Sequence, residues 1–314
     1  MDGVITLGEA LIDFIPVDKK NKLFEKNPGG APANVAVGLA RLGSRTAFIG
    51  KVGDDSLGRF LYDTLADEDI ILNNMILTKE AKTALSIVTL DEKGDRSFDF
   101  FGEESADRLL SKEEIDDELF GDFKIYHFGS ISMINEISRQ ATKYALDLAQ
   151  KREMYVSYDP NLRESLWSDL DKAKKIMKSV LGQVDILKVS KEELDFLTGF
   201  AGIEEGAEQL KNKNEISIVL ITDGDNGVYF YRNKLVHIPA KKVEAVDTTG
   251  AGDAFISAFL NRVDKSDISI DEMTDAQIEK ICEFANYCSA LVVQKQGAMS
   301  KLPTKDEVKE YFKE

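Results

Sequence analysis

Six short apolar runs, at residues 4–7, 46–49, 124–128, 154–158, 186–189 and 216–221, are separated by longer stretches with helical spacing at 33–42, 138–151, 169–181, 191–198 and 278–296. This alternation constrains the chain more than any other feature. It predicts an α/β fold in three layers, a mostly parallel central sheet with helices on both faces. Two segments break the rhythm. Residues 85–90 and 96–101 flank Asp91-Glu-Lys-Gly94, a turn with glycine where positive φ is easiest, and so predict a hairpin. Residues 13–24 read as extended and irregular. Together they predict a small β lid, formed by about 13–28 and 84–102, inserted in one α/β unit spanning 1–314. No Pro-, Gly- or Ser-rich linker, low-complexity tract or repeat divides the chain.

Charge and composition exclude several classes. The formal net charge of −16 argues against nucleic acid or an anionic membrane as the main partner, because both reward a basic face. No apolar run approaches the roughly 18 residues that a membrane helix needs. The strand-like run at 4–7 leaves no room for a signal peptide before it, so the expected location is cytoplasmic. Cys282 and Cys288, six apart in a helical pattern, support neither a disulfide framework nor, with only His127 and His237 beside them, a zinc site.

The segment Ala245-Val-Asp-Thr-Thr-Gly-Ala-Gly-Asp-Ala-Phe-Ile-Ser-Ala-Phe-Leu260 carries the chemistry. Apolar residues at 255, 256, 259 and 260 give a helical repeat, and Gly250 and Gly252 fall where that helix starts. Small residues there let backbone N–H groups converge on one point. The first helical turn leaves those donors unpaired, and the helix dipole adds positive potential. Such a site suits an anion whose charge grows during phosphoryl transfer. Asp253, one residue on, would lie where a carboxylate can accept a hydroxyl proton. A plain glycine-rich turn with Asp253 as a helix-start residue fits the spacing equally well. The loop is neither a P-loop, since no Gly-x-x-x-x-Gly-Lys-Ser/Thr occurs, nor a dinucleotide fingerprint, since Phe255 stands where Gly or Ala is required.

Residues 247–253 resemble the C-terminal signature of the ribokinase-like (PfkB) carbohydrate kinases. Gly29-Gly-Ala-Pro-Ala-Asn-Val-Ala-Val-Gly-Leu-Ala-Arg-Leu-Gly43, followed by Gly50-Lys-Val-Gly-Asp54, resembles their N-terminal signature. The resemblance runs over nearly the whole chain. Gly8-Glu-Ala-Leu-Ile-Asp-Phe-Ile-Pro16, His127-Phe-Gly-Ser-Ile-Ser132, Ser157-Tyr-Asp-Pro-Asn-Leu-Arg163, Leu166-Trp167, Ile186-Leu-Lys-Val-Ser190, Gly297-Ala298 and Leu302-Pro-Thr304 point to the fructokinase branch. The resemblance implies transfer of the ATP γ-phosphoryl group to the 6-hydroxyl of D-fructose, giving fructose 6-phosphate and ADP. A 2-keto-3-deoxygluconate kinase or another sugar kinase of the same fold is the closest rival. A catalytically silent sugar-binding regulator would need a broken site. A nicotinamide dehydrogenase fits the α/β rhythm but not the missing fingerprint.

Residue roles come from the same resemblance. It makes Asp253 the base and the amides of Gly250, Ala251 and Gly252 the anion hole. Arg163 becomes a contact to the transferred phosphate, or else a surface arginine after a turn. Asp13, Gly29, Gly30 and Asn34 are implied to hold sugar hydroxyls. Arg96 and Phe98, which share a lid-strand face with Phe100, are implied to cover the sugar or to pack on a partner subunit. Lys188, Ser190, Thr222, Gly224, Gly227 and Asn286 are implied to line the ATP groove. Glu193 would order Mg2+ through water, although Ser190 replaces the asparagine of the usual Asn-x-x-Glu motif. Asp247 and Thr249 would hold a monovalent cation, K+. The resemblance further implies a homodimer through the lid and lid closure over bound sugar, with ATP and Mg2+ as cofactors.

Overall fold

The computed structural model describes residues 1–18, 20–91, 96–101, 104–199 and 202–312. The expected turn after Asp91 and the side chain of Arg96 lie outside what is described. In chain order the elements are β1 (Val4–Leu7), β2 (Leu11–Pro16), β3 (Phe24–Gly29), α1 (Ala31–Arg41), β4 (Thr46–Gly53), α2 (Ser56–Ala66), β5 (Met75–Thr78), β6 (Leu85–Leu90) and β7 (Arg96–Phe101). There follow β8 (Ile125–Gly129), α3 (Glu136–Lys151), β9 (Tyr155–Asp159), α4 (Leu170–Lys178), β10 (Ile186–Ser190), α5 (Lys191–Thr198), α6 (Ile203–Asn214), β11 (Ile218–Thr222), β12 (Val228–Tyr231), β13 (Leu235–Ile238), α7 (Ala251–Asp264) and α8 (Asp275–Val292).

The large sheet has the order β13-β12-β11-β10-β9-β8-β1-β4-β5. Its seven strands from β11 to β5 are parallel, and β12 and β13 close one edge antiparallel. Its strands are buried on both faces, which is why they read as continuous apolar runs. Alternation then divides each strand between two cores. Ile5, Leu7, Tyr126, Phe128, Leu187, Val189, Val219 and Ile221 enter one core with α3. Val4, Ile125, Ile186, Ile218 and Leu220 enter the other with α7 and α8. Phe128 and Tyr158, opposite each other in register, stack at 4.6 Å just beneath the strand ends that bear Gly129 and Asp159.

The expected three-layer α/β arrangement is present. Strands β5, β12 and β13 and helices α2 and α6 were not expected from the sequence pattern. Helix α6 buries only Gly206, Ala207 and Leu210 among its twelve residues, too narrow a stripe for periodicity to reveal. A second sheet, β3-β2-β6-β7, is formed by the two segments that broke the rhythm, 11–29 and 85–101. Its inner pair β2 and β6 is parallel and both outer pairs are antiparallel, so the hairpin β6-β7 is only half of it. Of the segment expected to be extended and irregular, residues 13–16 and 24 are strand. Among the described residues, no helix is long and apolar enough to cross a membrane.

Candidate active site

The candidate residues gather at the carboxyl ends of the parallel strands. From β1 the chain moves to β4 on one side and later to β8 on the other, so β1 lies at the switch point where such sheets open a crevice. Glu9 follows β1, Asp159 ends β9, Ser190 ends β10 and Thr222 ends β11.

Two parallel helices bring the rest together. Asn34 on α1 donates from Nδ2 to Oδ2 of Asp253 on α7 at 2.7 Å. One turn further along both helices Gly38 faces Ser257, and a Cβ at Gly38 would collide with the serine side chain. Another turn on, Asn261 donates to the Leu42 carbonyl at 3.2 Å. Beyond it, Ser44 donates to Asp264 at 2.8 Å. The same offset recurs at the first three steps, so α1 and α7 run side by side and their N-termini end at one place. Gly30 and Gly250 precede these helices with φ of 102° and 82°. Both values lie where side chains with a Cβ are strained.

Around these helix starts lies a cavity of about 80 Å³, bordered by Glu9, Asp13, Asn34, Phe98, Arg163, Gly250 and Asp253. Asp13, Ser86, Val88, Phe98 and Phe100 share one face of the small sheet by their register. Ser86 donates a hydrogen bond to Asp13. Asn34 Oδ1 is buried without a hydrogen-bond partner among the described residues, an acceptor still free for a ligand. Burial raises the Asp253 carboxyl to about 6 against the Asn34 hydrogen bond; Asp159 pushes the same way, while Lys188 and Arg163 pull it down. Burial likewise raises Asp13, opposed by Ser86 and Arg163.

A second cavity, of about 220 Å³, meets the first at Asn161 and Arg163 and is lined by Lys188, Ser190 and Glu193. Lys188 pairs with Asp159 at 2.9 Å, both buried. A Cβ at Gly252 would stand 3.0 Å from the Lys188 Nζ, so the ammonium lies against the first turn of α7. Burial works against the lysine charge, but Asp159, Glu193 and Asp253 hold its pKa above the ordinary value. Glu193 accepts from Leu162 N at 2.6 Å and Ser190 N at 2.7 Å, and Ser190 Oγ accepts from Glu193 N at 3.2 Å. Ser190 and Glu193 thus form a capping box at the start of α5 that also holds the loop carrying Arg163. Burial and the neighbouring Asp159 raise Glu193 above the usual carboxylate range.

The remaining candidates lie toward the antiparallel edge. Thr222 is the register partner of Ser190. A side chain at Gly227 would strike the Ile238 carbonyl, to which Asn286 donates at 3.3 Å. Gly224 opens onto free space. Asp247, buried, accepts from Thr249 N at 3.0 Å and Gly297 N at 2.8 Å. Among the described residues no three acidic, histidine or cysteine side chains cluster to hold a metal. A Mg2+ ion brought by nucleotide phosphates keeps several waters, and a single carboxylate at the cavity edge such as Glu193 fits that mode.

Reading motifs missed two groups. Asp159 and Asn161 stood inside a quoted motif without a role, yet Asp159 pairs with Lys188 and Asn161 borders both cavities. Glu9, beside the expected strand one, also lines the smaller cavity. The signal available was their position one to three residues past an apolar run. Beneath them His127 Nδ1 and Ser157 Oγ lie 3.0 Å apart, and burial lowers the imidazole to about 4, so it is neutral.

A half-buried carboxylate at a helix start, beside a lysine and an arginine and under a small β-sheet, is an arrangement suited to transferring a charged group to a hydroxyl acceptor. The family model described as pfkB family carbohydrate kinase matches residues 1–305, and the chain belongs to that family. It is 42% identical to fructokinase-1 of Oryza sativa subsp. japonica over 311 residues, 97% of this chain and 96% of that one. A double mutant of Vibrio cholerae O395 fructokinase, solved with fructose, ADP and potassium ion, superposes with a TM-score of 0.89 at 37% identity, covering 99% of this chain and 98% of that one. Fructokinase from Xylella fastidiosa with bound ATP gives a TM-score of 0.92 at 32% identity, with 99% and 98% covered.

The α1–α7 contact generates a prediction. Gly38→Ala forces the helices apart and lowers kcat on the best sugar by about tenfold or more, as small misplacements of reacting groups do. Adding Ser257→Gly restores most of it. Steady-state kinetics of the single and double variants check this, and additive losses would contradict it.

Proposed function

We propose that this protein transfers the γ-phosphoryl group of ATP to the 6-hydroxyl of D-fructose, forming fructose 6-phosphate and ADP. The observation that carries the reading is Asp253: a half-buried carboxylate at the start of α7, held by Asn34, with Lys188 against the same helical turn. The full-length similarity to fructokinases supports the ketohexose.

In this reading Asp13, Gly29, Gly30 and Asn34 hold the sugar, and Phe98 with Arg96 covers it. The 6-hydroxyl lies by Asp253, which accepts its proton as the oxygen attacks the γ-phosphorus and the bond to ADP breaks. The amides of Gly250, Ala251 and Gly252 stabilise charge on the transferred group, helped by the helix dipole, Lys188 and Arg163. Nucleotide lies along Ser190, Thr222, Gly224, Gly227 and Asn286. Mg2+ neutralises phosphate charge, with Glu193 ordering its water. Asp247 and Thr249 supply oxygens for K+.

The small sheet acts as a lid on a single kinase unit, and closing it excludes water from the transfer. Val17, Leu23, Phe24 and Phe101 are exposed on it or beside it, which supports pairing with a second copy through this surface. The unpaired thiols of Cys282 and Cys288 fit a reducing, cytoplasmic compartment.

Four outcomes test the reading. ADP release on a sugar panel is fastest with fructose; faster turnover of ribose or 2-keto-3-deoxygluconate would displace it. Asp253→Asn lowers kcat by about 10²–10⁴-fold. The carboxylate must be ionised to act, so kcat/KM of the unaltered enzyme falls as pH drops through about 6. Light scattering gives twice the monomer mass, and lid substitutions Leu23→Glu with Phe101→Glu halve it.

A further inference from the structure

Two buried carboxyls stand outside every role assigned so far. Glu9 is 2% exposed. Its Oε1 accepts from Ala31 N, in the first turn of α1, at 3.0 Å. Its Oε2 is buried and has no hydrogen-bond partner among the described residues. Asp107, in the helical turn Ala106–Leu109, leaves its Oδ1 in the same condition. Both carboxyls border a cavity of about 790 Å³ between the small sheet, Ile131 and Trp167.

That cavity opens onto the 80 Å³ one through residues common to both: Glu9, Leu11, Phe98, Phe100 and Ile131. Asn34, Gly250 and Asp253 border only the smaller cavity, so the shared residues form the end away from the base. Four of the five have apolar side chains. Glu9 supplies the hydrogen-bonding side chain at that end. A buried oxygen without a partner is unfavourable, and a bound hydroxyl, both donor and acceptor, relieves it.

We propose that Glu9 contacts the acceptor sugar and helps to select it, its Oε2 sharing a hydrogen bond with a hydroxyl at the anomeric end, with Asp107 behind it. The proposal rests on reading the smaller cavity as the sugar site. For a sugar phosphorylated at its terminal hydroxymethyl group, the anomeric carbon is the end remote from Asp253. The acceptor class is therefore a neutral sugar with a free hydroxyl there, and an anomeric glycoside or a 1-deoxy analogue binds less well.

Protonation gives the contact its direction. Burial raises Glu9 to about 8; its own backbone N–H and that of Ala31 oppose this, Asp107 adds to it, and Arg163 lowers it. Other charged groups on the surrounding walls are Asp13 on β2, Asp99 on β7, Arg108 beside Asp107, Asp169 and Lys172 at the start of α4, and Asp253 on α7. Near neutral pH the carboxyl holds its proton and donates to the sugar. Above about 8 it ionises and that donor is lost.

The test is the KM and kcat of the sugar best turned over on the panel, measured from neutral to alkaline pH for the unaltered enzyme, Glu9→Gln and Glu9→Leu. Using the best sugar keeps a wrong sugar assignment separate from a wrong role for Glu9. The unaltered enzyme should show KM rising about tenfold one unit above the carboxyl pKa, with kcat little changed. Glu9→Leu should raise KM about tenfold or more already at neutral pH. Glu9→Gln, which keeps an acceptor for Ala31 and an N–H donor, should recover most of that loss and flatten the alkaline rise. A Glu9→Gln profile that still rises with the unaltered enzyme's would overturn the proposal. So would an unchanged KM in Glu9→Leu. If Glu9→Leu does not fold, the Glu9→Gln profile decides alone.

Discussion

The close approach of α1 and α7 at Gly38 and Ser257 is the constraint on which the site depends. Two helices that are distant in sequence run parallel, and a missing Cβ lets them pack at the spacing where Asn34 reaches Asp253. The contacts at Leu42, Ser44, Asn261 and Asp264 pin the other ends of the pair. Because the helices are parallel, both N-terminal dipoles point into one crevice. An anion site and a hydroxyl-binding site therefore become neighbours through packing alone.

That crevice concentrates negative side chains. Glu9, Asp13, Asp159, Glu193 and Asp253 are drawn together with few cations, chiefly Lys188 and Arg163. Burial raises four of them above their ordinary range, and the Asp159–Lys188 pair supplies the fixed positive charge beside the helix start. The Asp253 carboxyl consequently sits near 6, high enough to accept a proton readily yet ionised at neutral pH. His127 and Ser157 continue the polar stripe beneath, on the same sheet face as Lys188. They are neutral partners that fill the space without adding charge.

Much of this was legible in the sequence. Parallel strands buried on both faces leave apolar runs, so the central sheet showed itself, and glycines before an apolar helical repeat marked the start of α7. The edge strand β13 and the narrowly buried α6 left weaker traces, because half-exposed elements carry less periodic signal. Ser190 and Glu193 show a limit of another kind: their three-residue spacing is that of a capping box, and the structure uses it as one.

The sequence by itself determined the layered α/β class and the glycine-bearing helix start at Gly250–Asp253, because both depend on short-range periodicity and on backbone conformations that few residues tolerate. It could not decide which carboxylates share the site. Glu9 and Asp159 lie at the carboxyl ends of strands far apart along the chain, and only the return of each strand to one sheet brings them near Asp253. Their protonation follows from that burial. Tertiary structure alone therefore decided which of several ordinary acidic residues became a carboxyl held by an asparagine, a partner for a lysine, or a wall of the cavity.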